Sequence, residues 1–242
     1  MGGSGRVIDP DRLRGALDEA RERLDEAAVR SGRPAGAVEL VMAGKYVAAE
    51  ETEALIAAGA TLLGENRLQD LQAKADRARG RITFDFIGHL QRRKVRDVLG
   101  LTRLVHSVDS ARLAQEIDRR SEGPMRVLVE VNVAEEPSKG GIVPPSLRAF
   151  VEEVSEGSDL VIGGLMAMPP LHADPEASRP WFAQTRELAE RLAGEWRGRH
   201  DFADLSMGTS QDYIVAAEEG ATKVRVGRGL LERARTSTQG LT

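Results

Sequence analysis

The chain has 242 residues, of which 41% are hydrophobic and 30% are charged, and its formal net charge is −4. This composition is typical of a globular protein, and the acidic balance argues against nucleic-acid binding, which is usually accompanied by a basic excess. Because the sequence contains no cysteine, it excludes a disulfide framework, a thiol nucleophile and thiolate metal sites.

The two ends of the chain give simple expectations. No apolar run approaches the length of a membrane span, and residues 1–14 lack the apolar core of a secretory signal. We therefore expect a cytoplasmic protein. Residues 1–8 are expected to form a disordered N-terminus, residues 9–235 a single domain and residues 236–242 a C-terminal tail.

The first predicted element is an amphipathic helix. Asp9-Pro10 is a typical helix start and Gly32 is a typical stop. Apolar residues recur between them at spacings of three and four, as one face of a helix requires. These residues are Leu13, Ala16, Leu17, Ala20, Leu24, Ala27 and Ala28.

After this helix, short apolar runs alternate with amphipathic stretches of helical length. The apolar runs, each too short for a helix, are residues 38–43, 61–63, 83–87, 103–108, 125–133, 160–166, 204–207 and 223–226. The helix candidates between them are residues 48–58, 67–78, 110–121, 147–155, 179–196 and 212–219.

This alternation is typical of a parallel sheet whose faces are covered by helices. Eight strand candidates in a chain of this length match a (β/α)8 barrel better than an open doubly wound sheet. The sequence therefore predicts an α/β fold: a single-domain (β/α)8 TIM barrel with an extra N-terminal helix.

In such a barrel, functional residues lie where the strands end. Lys45 directly follows the first strand candidate and is expected to point into the mouth of the barrel. Partial burial there would favour the neutral amine, which can form a Schiff base with an aldehyde. A solvated lysine at a strand end explains the same position.

Four other strand ends carry side chains of interest: Asn66, His89, Asn132 and Met166. Asn66 could bind a ligand or form a turn with a helix cap. His89 and Asn132 could act at a site or make structural hydrogen bonds. Met166 could contact a flat ligand or fill a gap in the core.

The loops after the last two strand candidates are small and rich in Gly and Ser. Ser206, Gly208 and Ser210 lie at the end of the seventh candidate, and Gly227-Arg228 follows the eighth. These two loops commonly form the phosphate site of a TIM barrel. Tight turns favour the same residue types, so both interpretations remain open. The four histidines are scattered, and no metal site is predicted.

Several short motifs follow one another from about residue 38 to residue 230. They are Gly44-Lys45, Leu63-Gly64-Glu65-Asn66, Phe86-Ile87-Gly88-His89-Leu90-Gln91 with Lys94, His106-Ser107-Val108-Asp109-Ser110, Val131-Asn132-Val133, Ser138-Lys139-Gly140-Gly141, Gly163-Gly164-Leu165-Met166-Ala167-Met168, Leu205-Ser206-Met207-Gly208 and Val224-Arg225-Val226-Gly227. In this order the chain resembles the pyridoxal phosphate homeostasis proteins, the YggS-like or PROSC-like family.

The resemblance implies a barrel like the N-terminal domain of alanine racemase, with pyridoxal 5′-phosphate (PLP) held as a Schiff base on Lys45. It also implies that Arg225 faces the pyridine nitrogen. The implied phosphate contacts are Ser206, Ser210, Gly227 and the Arg228 amide. The residues implied to flank the cofactor are Asn66 and Met166, and further candidate contacts are His89, Asn132 and Gly208.

The sequence departs from the family pattern at three positions. Gly44 stands where the family usually has Ser, Arg93 where it has Asn, and Arg228 where it has Thr. The last change removes a hydroxyl donor from the implied phosphate site and adds a cation, so it could alter cofactor affinity in either direction.

The implied place of Arg225 bears on function. Arginine can only donate to the pyridine nitrogen, which stays unprotonated and makes the cofactor a weaker electron sink. We therefore expect a protein of intracellular PLP homeostasis that stores or delivers the cofactor. The family suggests a monomer, and apo-PLP enzymes are candidate partners. The alternatives are a slow PLP-dependent amino-acid racemase or related enzyme, and a phosphate-binding barrel enzyme that uses no PLP.

Overall fold

The computed structural model describes residues 6–170 and 172–237. Within these ranges, eight parallel strands close into a barrel in which each strand pairs with the next and the last pairs with the first. The strands are β2 (Glu39–Ala43), β3 (Leu62–Glu65), β4 (Thr83–Phe86), β5 (Leu104–Val108), β6 (Arg126–Val131), β7 (Val161–Ala167), β8 (Asp204–Thr209) and β9 (Lys223–Val226). The predicted TIM barrel is confirmed.

The two ends of the described chain pair with each other outside the barrel. Strand β1 (Arg6–Ile8) runs antiparallel to β10 (Arg235–Ser237). The expectation of disorder is therefore wrong for residues 6–8, and the predicted boundary at residue 235 falls within β10. The sequence did not predict these two strands, because three residues are too few to show a strand period. Only the pairing between the two ends defines them. Residues 1–5 and 238–242 lie outside the described residues.

Helices surround the barrel strands. They are α1 (Pro10–Arg30), α2 (Thr52–Ala57), α3 (Leu68–Ala78), α4 (Val95–Leu99), α5 (Ala111–Arg120), α6 (Leu147–Ser155), α7 (Arg179–Glu195), α8 (Tyr213–Glu218) and α9 (Arg228–Ala234). The helix candidates read from the sequence did not include α4 and α9, which have five and seven residues.

The N-terminal helix α1 has the predicted start and the predicted buried face. Asp9 Oδ1 accepts hydrogen bonds from the backbone N–H groups of Asp11 at 3.0 Å and Arg12 at 3.1 Å, which satisfies donors that the first helical turn leaves unpaired. The seven apolar residues identified from their spacing are all buried. Their face packs against α8 and α9.

The interior of the barrel is largely polar at the amino-terminal ends of the strands. Arg103 bridges Glu39 and Asp85, with nitrogen–oxygen distances of 2.9 Å to each. Arg126 pairs with Asp204 at 3.0 Å. Such an interior differs from the branched apolar side chains that usually fill a TIM barrel.

Two consecutive glycines on β7 make room for this network. A Cβ added at Gly163 would lie 2.4 Å from the guanidinium of Arg126, and one at Gly164 would lie 1.8 Å from the backbone oxygen of Asp204. Next to the network, Leu104 lies in register with Asp85 and forms a small apolar cluster with Leu128 and Met166. Among the described helices, none combines the length and the apolar character that crossing a membrane requires.

His200 predicts how stability depends on pH. The residue is 3% exposed, its Nδ1 accepts from Ile162 N at 3.2 Å, and its Nε2 lies 2.7 Å from Ser155 Oγ. Burial lowers the pKa of His200 to about 4, compared with about 6.5 in an unfolded chain. As the pH falls from about 6.5 to about 4, the unfolded chain takes up a proton that the folded protein refuses, so stability decreases.

We expect His200→Gln to reduce this pH dependence in urea unfolding measured across that interval. His172→Gln is the matched control, because His172 is exposed, and it should leave the dependence unchanged. Equal pH dependence in the wild type and in His200→Gln would contradict the assignment.

Candidate functional site

Lys45 lies just beyond the carboxyl end of β2, in a short 3-10 helix of one turn, Gly44–Tyr46. Its side chain is exposed, which differs from the expected partial burial. The physical reason is that the residue sits in the turn beyond the strand, where its Nζ lies over the ring of Tyr46, 4.9 Å from the ring centroid. The lysine is at the mouth of the barrel, as expected, but it is accessible from solvent.

A buried ion pair fixes the backbone that precedes Lys45. Lys74 Nζ lies 2.7 Å from Glu65 Oε1 and donates to Gly44 O at 2.9 Å. The side chains of Lys74 and Glu65 are 2% and 0% exposed. A Cβ added at Gly44 would lie 2.0 Å from Glu65 Oε1, so the departure to glycine at this position leaves space for the carboxylate.

Lys74 was not predicted from the sequence as a residue of the site, although a signal was present. Leu71, Lys74 and Ala78 are all buried on α3, at spacings of three and four that define one helix face. A lysine within such a face must find a partner in the interior. Burial raises the pKa of Glu65 more strongly than the hydrogen bond and charge of Lys74 lower it.

Asn66 follows β3 and holds an unsatisfied polar atom. Its Oδ1 is buried and has no hydrogen-bond partner among the described residues. The next loop packs closely on its backbone, because a Cβ added at Gly88 would lie 2.5 Å from Asn66 O. A buried acceptor of this kind requires an explanation, and a ligand donor would provide one.

The loop after β9 contacts the turn that carries Lys45. A Cβ added at Gly227 would lie 2.8 Å from Ala43 O, so this approach requires glycine. Arg228 Nη2 donates to the hydroxyl of Tyr46 at 3.0 Å. Two segments separated by about 180 residues in the sequence are thereby brought together.

Ser210 connects the loops after β8 and β9. Its Oγ accepts from the backbone N–H groups of Gly227 at 3.2 Å and Gly229 at 3.4 Å. Gly208 shapes the end of β8, just before the first of these loops, because its φ is +91° and a Cβ there would lie 2.5 Å from the Cβ of Ala216. These loops therefore have the close backbone approach that a phosphate site needs. They also form tight turns, so both interpretations made from the sequence fit the structure.

Arg225 and Ser206 lie deeper, inside the barrel. Arg225 is 5% exposed and Ser206 is 0% exposed. Arg225 donates to Ser206 O at 2.6 Å, to Ser206 Oγ at 2.5 Å and to Ala167 O at 2.9 Å. Burial lowers the pKa of Arg225 to about 10, so its side chain remains a cation at neutral pH.

The structure gives the three remaining candidates different surroundings. Met166 is 1% exposed and belongs to the apolar cluster inside the barrel. Asn132 Oδ1 accepts from Glu136 N at 3.1 Å and its Nδ2 donates to Glu136 O at 2.8 Å, which orders the loop after β6. His89 is exposed, with its Nδ1 3.2 Å from Asp109 Oδ2. In the described ranges, no group of three or more His, Asp or Glu side chains could hold a metal ion.

Two interior residues had been given no role. His106 and Asp85 are both 0% exposed, and His106 connects Ser206 to Asp85 through its two ring nitrogens. The signal was a single ionisable residue inside each short strand: Asp85 lies between Phe84 and Phe86, and His106 lies between Val105 and Ser107.

The fold and these loops define a class: single (β/α)8 barrels with a lysine directly after the first barrel strand. Residues 14–232 match the family model of the alanine racemase N-terminal domain. The chain is 38% identical over 215 residues to the pyridoxal phosphate homeostasis protein of Aquifex aeolicus, covering 87% of this chain and 93% of that protein.

Two solved structures have similar folds. One is an unknown protein from Bifidobacterium adolescentis, with a TM-score of 0.82, 30% identity and coverage of 94% of this chain and 98% of that one. The other is PipY of Synechococcus elongatus, solved with PLP bound, with a TM-score of 0.74, 33% identity and coverage of 87% and 99%. The chain therefore belongs to the alanine racemase N-terminal domain family and, within it, to the pyridoxal phosphate homeostasis proteins, which confirms the resemblance.

The hydrogen bond from Arg228 is the largest influence on the Tyr46 phenol, and with Lys45 it lowers the pKa of Tyr46. We expect Arg228→Met to raise this pKa towards the ordinary value of about 10, measured from the ultraviolet absorbance of the phenolate. Tyr213 is the other tyrosine of the chain, and Tyr46→Phe identifies which transition belongs to Tyr46. An unchanged Tyr46 transition in Arg228→Met would contradict the contact.

Lys74→Met leaves the buried carboxylate of Glu65 without its cation. We expect this variant to lose about 3–5 kcal/mol of unfolding free energy, as is usual when one partner of a buried ion pair is removed. The double variant Lys74→Met with Glu65→Gln removes both charges and should recover a large part of the loss in urea unfolding. A loss below about 1 kcal/mol in the single variant would fit an exposed pair instead.

Proposed function

We propose that this protein binds PLP at the carboxyl end of its barrel, holds it as a Schiff base on Lys45, and stores and delivers it in intracellular PLP homeostasis. The observation that carries the proposal is the close approach of Gly227 to Ala43, which sets the lysine turn beside the two Gly- and Ser-rich loops. Membership of the PLP homeostasis family and the PLP-bound structure of PipY support the same function.

The residues present fit the phosphate of this cofactor. Ser210 Oγ accepts two backbone hydrogen bonds, so its own proton remains to be donated to a phosphate oxygen. The backbone N–H of Arg228 lies between those of Gly227 and Gly229, which donate to Ser210, and close backbone approach to an anion is typical of such turns. The Arg228 side chain adds a positive charge near this loop.

The residues present also fit the ring and the aldehyde. The buried Oδ1 of Asn66 lacks a partner among the described residues, and it would accept a hydrogen bond from the bound molecule. Lys45 provides an exposed primary amine. When bound, PLP supplies an aldehyde, which condenses with a primary amine and releases one water molecule.

Arg225 favours a carrier over a catalyst. It is a buried cation and can only donate hydrogen bonds, so at the pyridine nitrogen it would keep that atom unprotonated. Enzymes that need a strong electron sink place an acidic group there instead. We propose further that the protein acts as a monomer and that apo-PLP enzymes receive the cofactor from its exposed rim.

Reductive trapping tests the proposed lysine. We expect borohydride treatment of the protein mixed with PLP, followed by peptide mass mapping, to place the label on Lys45, and Lys45→Ala to abolish it. Lys139→Ala is the matched control, because Lys139 lies on a loop after β6 and pairs with Glu136 at 2.6 Å; its variant should be labelled as the wild type is. Label confined to any other lysine would defeat the assignment.

A turnover assay separates the carrier from the enzyme. Purified protein loaded with PLP should show no steady racemisation or decarboxylation of free amino acids, while it should transfer PLP to an apo-PLP enzyme faster than free diffusion from solution allows. Steady turnover that depends on Lys45 would favour the slow racemase.

A further inference from the structure

A chain of buried hydrogen bonds runs through the interior of the barrel beneath the proposed cofactor site. Arg225 Nη1 lies 2.5 Å from Ser206 Oγ. Ser206 Oγ lies 2.8 Å from His106 Nδ1, and His106 Nε2 lies 3.1 Å from Asp85 Oδ2. Ser206, His106 and Asp85 are all 0% exposed. These three side chains therefore have no access to solvent, and each of their protons must be assigned to a partner within the protein.

The donors and acceptors permit one direction. A guanidinium has only N–H donors, so Ser206 Oγ accepts from Arg225 and has one proton left to donate. At the other end, the carboxylate of Asp85 can only accept, so the proton of a neutral His106 lies on Nε2 and is donated to Asp85. His106 Nδ1 is then an acceptor, and the proton of Ser206 is donated to it.

The electrostatics support this assignment. Burial lowers the pKa of His106 more strongly than Asp85 raises it, so the ring is neutral. Burial would raise the pKa of Asp85, but hydrogen bonds from His106 and Arg103 outweigh it and lower this pKa, so the carboxyl group is ionised. Arg103 Nε and Nη2 donate to Asp85 at 3.1 Å and 2.9 Å.

This direction has a consequence for Ser206. Because its only proton is donated to His106, its hydroxyl cannot also donate to a phosphate oxygen. The hydroxyl of Ser210 differs, since it accepts two bonds and keeps its proton. The Ser–His–Asp order does not form a hydrolytic triad either, because the serine is fully buried and Arg225 donates to the oxygen that would have to attack.

We propose that Ser206, His106 and Asp85 are positioning residues that hold the guanidinium of Arg225 at the ring side of the cofactor site, and that Ser206 is not a phosphate ligand. This inference rests on the proposed binding of PLP at this end of the barrel. The phosphate would then contact the loops joined by Ser210. The ring would contact Arg225, which the hydrogen bonds of Ser206, His106 and Asp85 hold in place.

Two ligands that differ only at the phosphate distinguish the roles of the two serines. We compare PLP with 5-deoxypyridoxal, which has the same ring and aldehyde but a methyl group in place of the phosphate ester, by absorbance titration. Ser210→Ala should weaken PLP binding by about tenfold and leave the binding of 5-deoxypyridoxal unchanged. Ser206→Ala should change both affinities by the same factor, so that their ratio stays that of the wild type. A Ser206→Ala effect on PLP alone would overturn the inference.

A spectroscopic measurement tests positioning directly. The 15N resonance of PLP labelled at the ring nitrogen should shift in Ser206→Ala and in His106→Leu and should stay in place in Ser210→Ala. His106→Gln, whose amide can accept from Ser206 and donate to Asp85, should retain the wild-type resonance. An unshifted resonance in both Ser206→Ala and His106→Leu would overturn the positioning role.

A measurement on the ligand-free protein tests the assigned direction of these hydrogen bonds without PLP. The 15N resonances of the His106 ring should report a neutral ring with its proton on Nε2, whether or not PLP binds. A proton on Nδ1 would overturn the assigned direction and with it the inference. Failure of the wild type to form a Lys45 adduct would instead refute the proposed function.

Discussion

The pairing of the first and last barrel strands is the constraint on which the candidate site depends. Residues 39–42 of β2 lie in register with residues 223–226 of β9, and this seam closes the barrel. Closure brings Gly227 against Ala43 and Arg228 against Tyr46. The turn of Lys45 and the Gly- and Ser-rich loops near residue 227 thereby share one surface, which no local feature of the sequence could achieve.

The polar interior of the barrel is connected to the candidate site by hydrogen bonds. Ionic side chains at the amino-terminal ends of the strands lead through Asp85 and His106 to Arg225. A buried guanidinium is costly unless its donors are satisfied, and here two backbone carbonyls and a serine hydroxyl accept from it. The interior therefore fills the barrel and also fixes the guanidinium of Arg225 by hydrogen bonds.

Most of the fold could be predicted from the sequence, but less of the site could. Buried parallel strands appear as apolar runs, and the face of α1 appears as a helical period, because burial restricts which residues are tolerated. Met166 and Asn132 show where this reasoning ends. Their positions at strand ends were correct, and the structure adds that Met166 packs in the core and Asn132 orders a loop; their contact with a cofactor stays a prediction. Position along a strand predicts depth in the barrel only when the register with neighbouring strands is known.

The sequence by itself determined the barrel, the place of Lys45 after its first strand and the glycines of the last two loops, because strand length, helical period and backbone freedom are local properties. Only the tertiary structure decided that Glu65 and Lys74 clamp the turn of Lys45 and that Ser206 joins Arg225 to His106. The atoms in these contacts come from different strands and helices, and their hydrogen-bond directions depend on how neighbouring strands align.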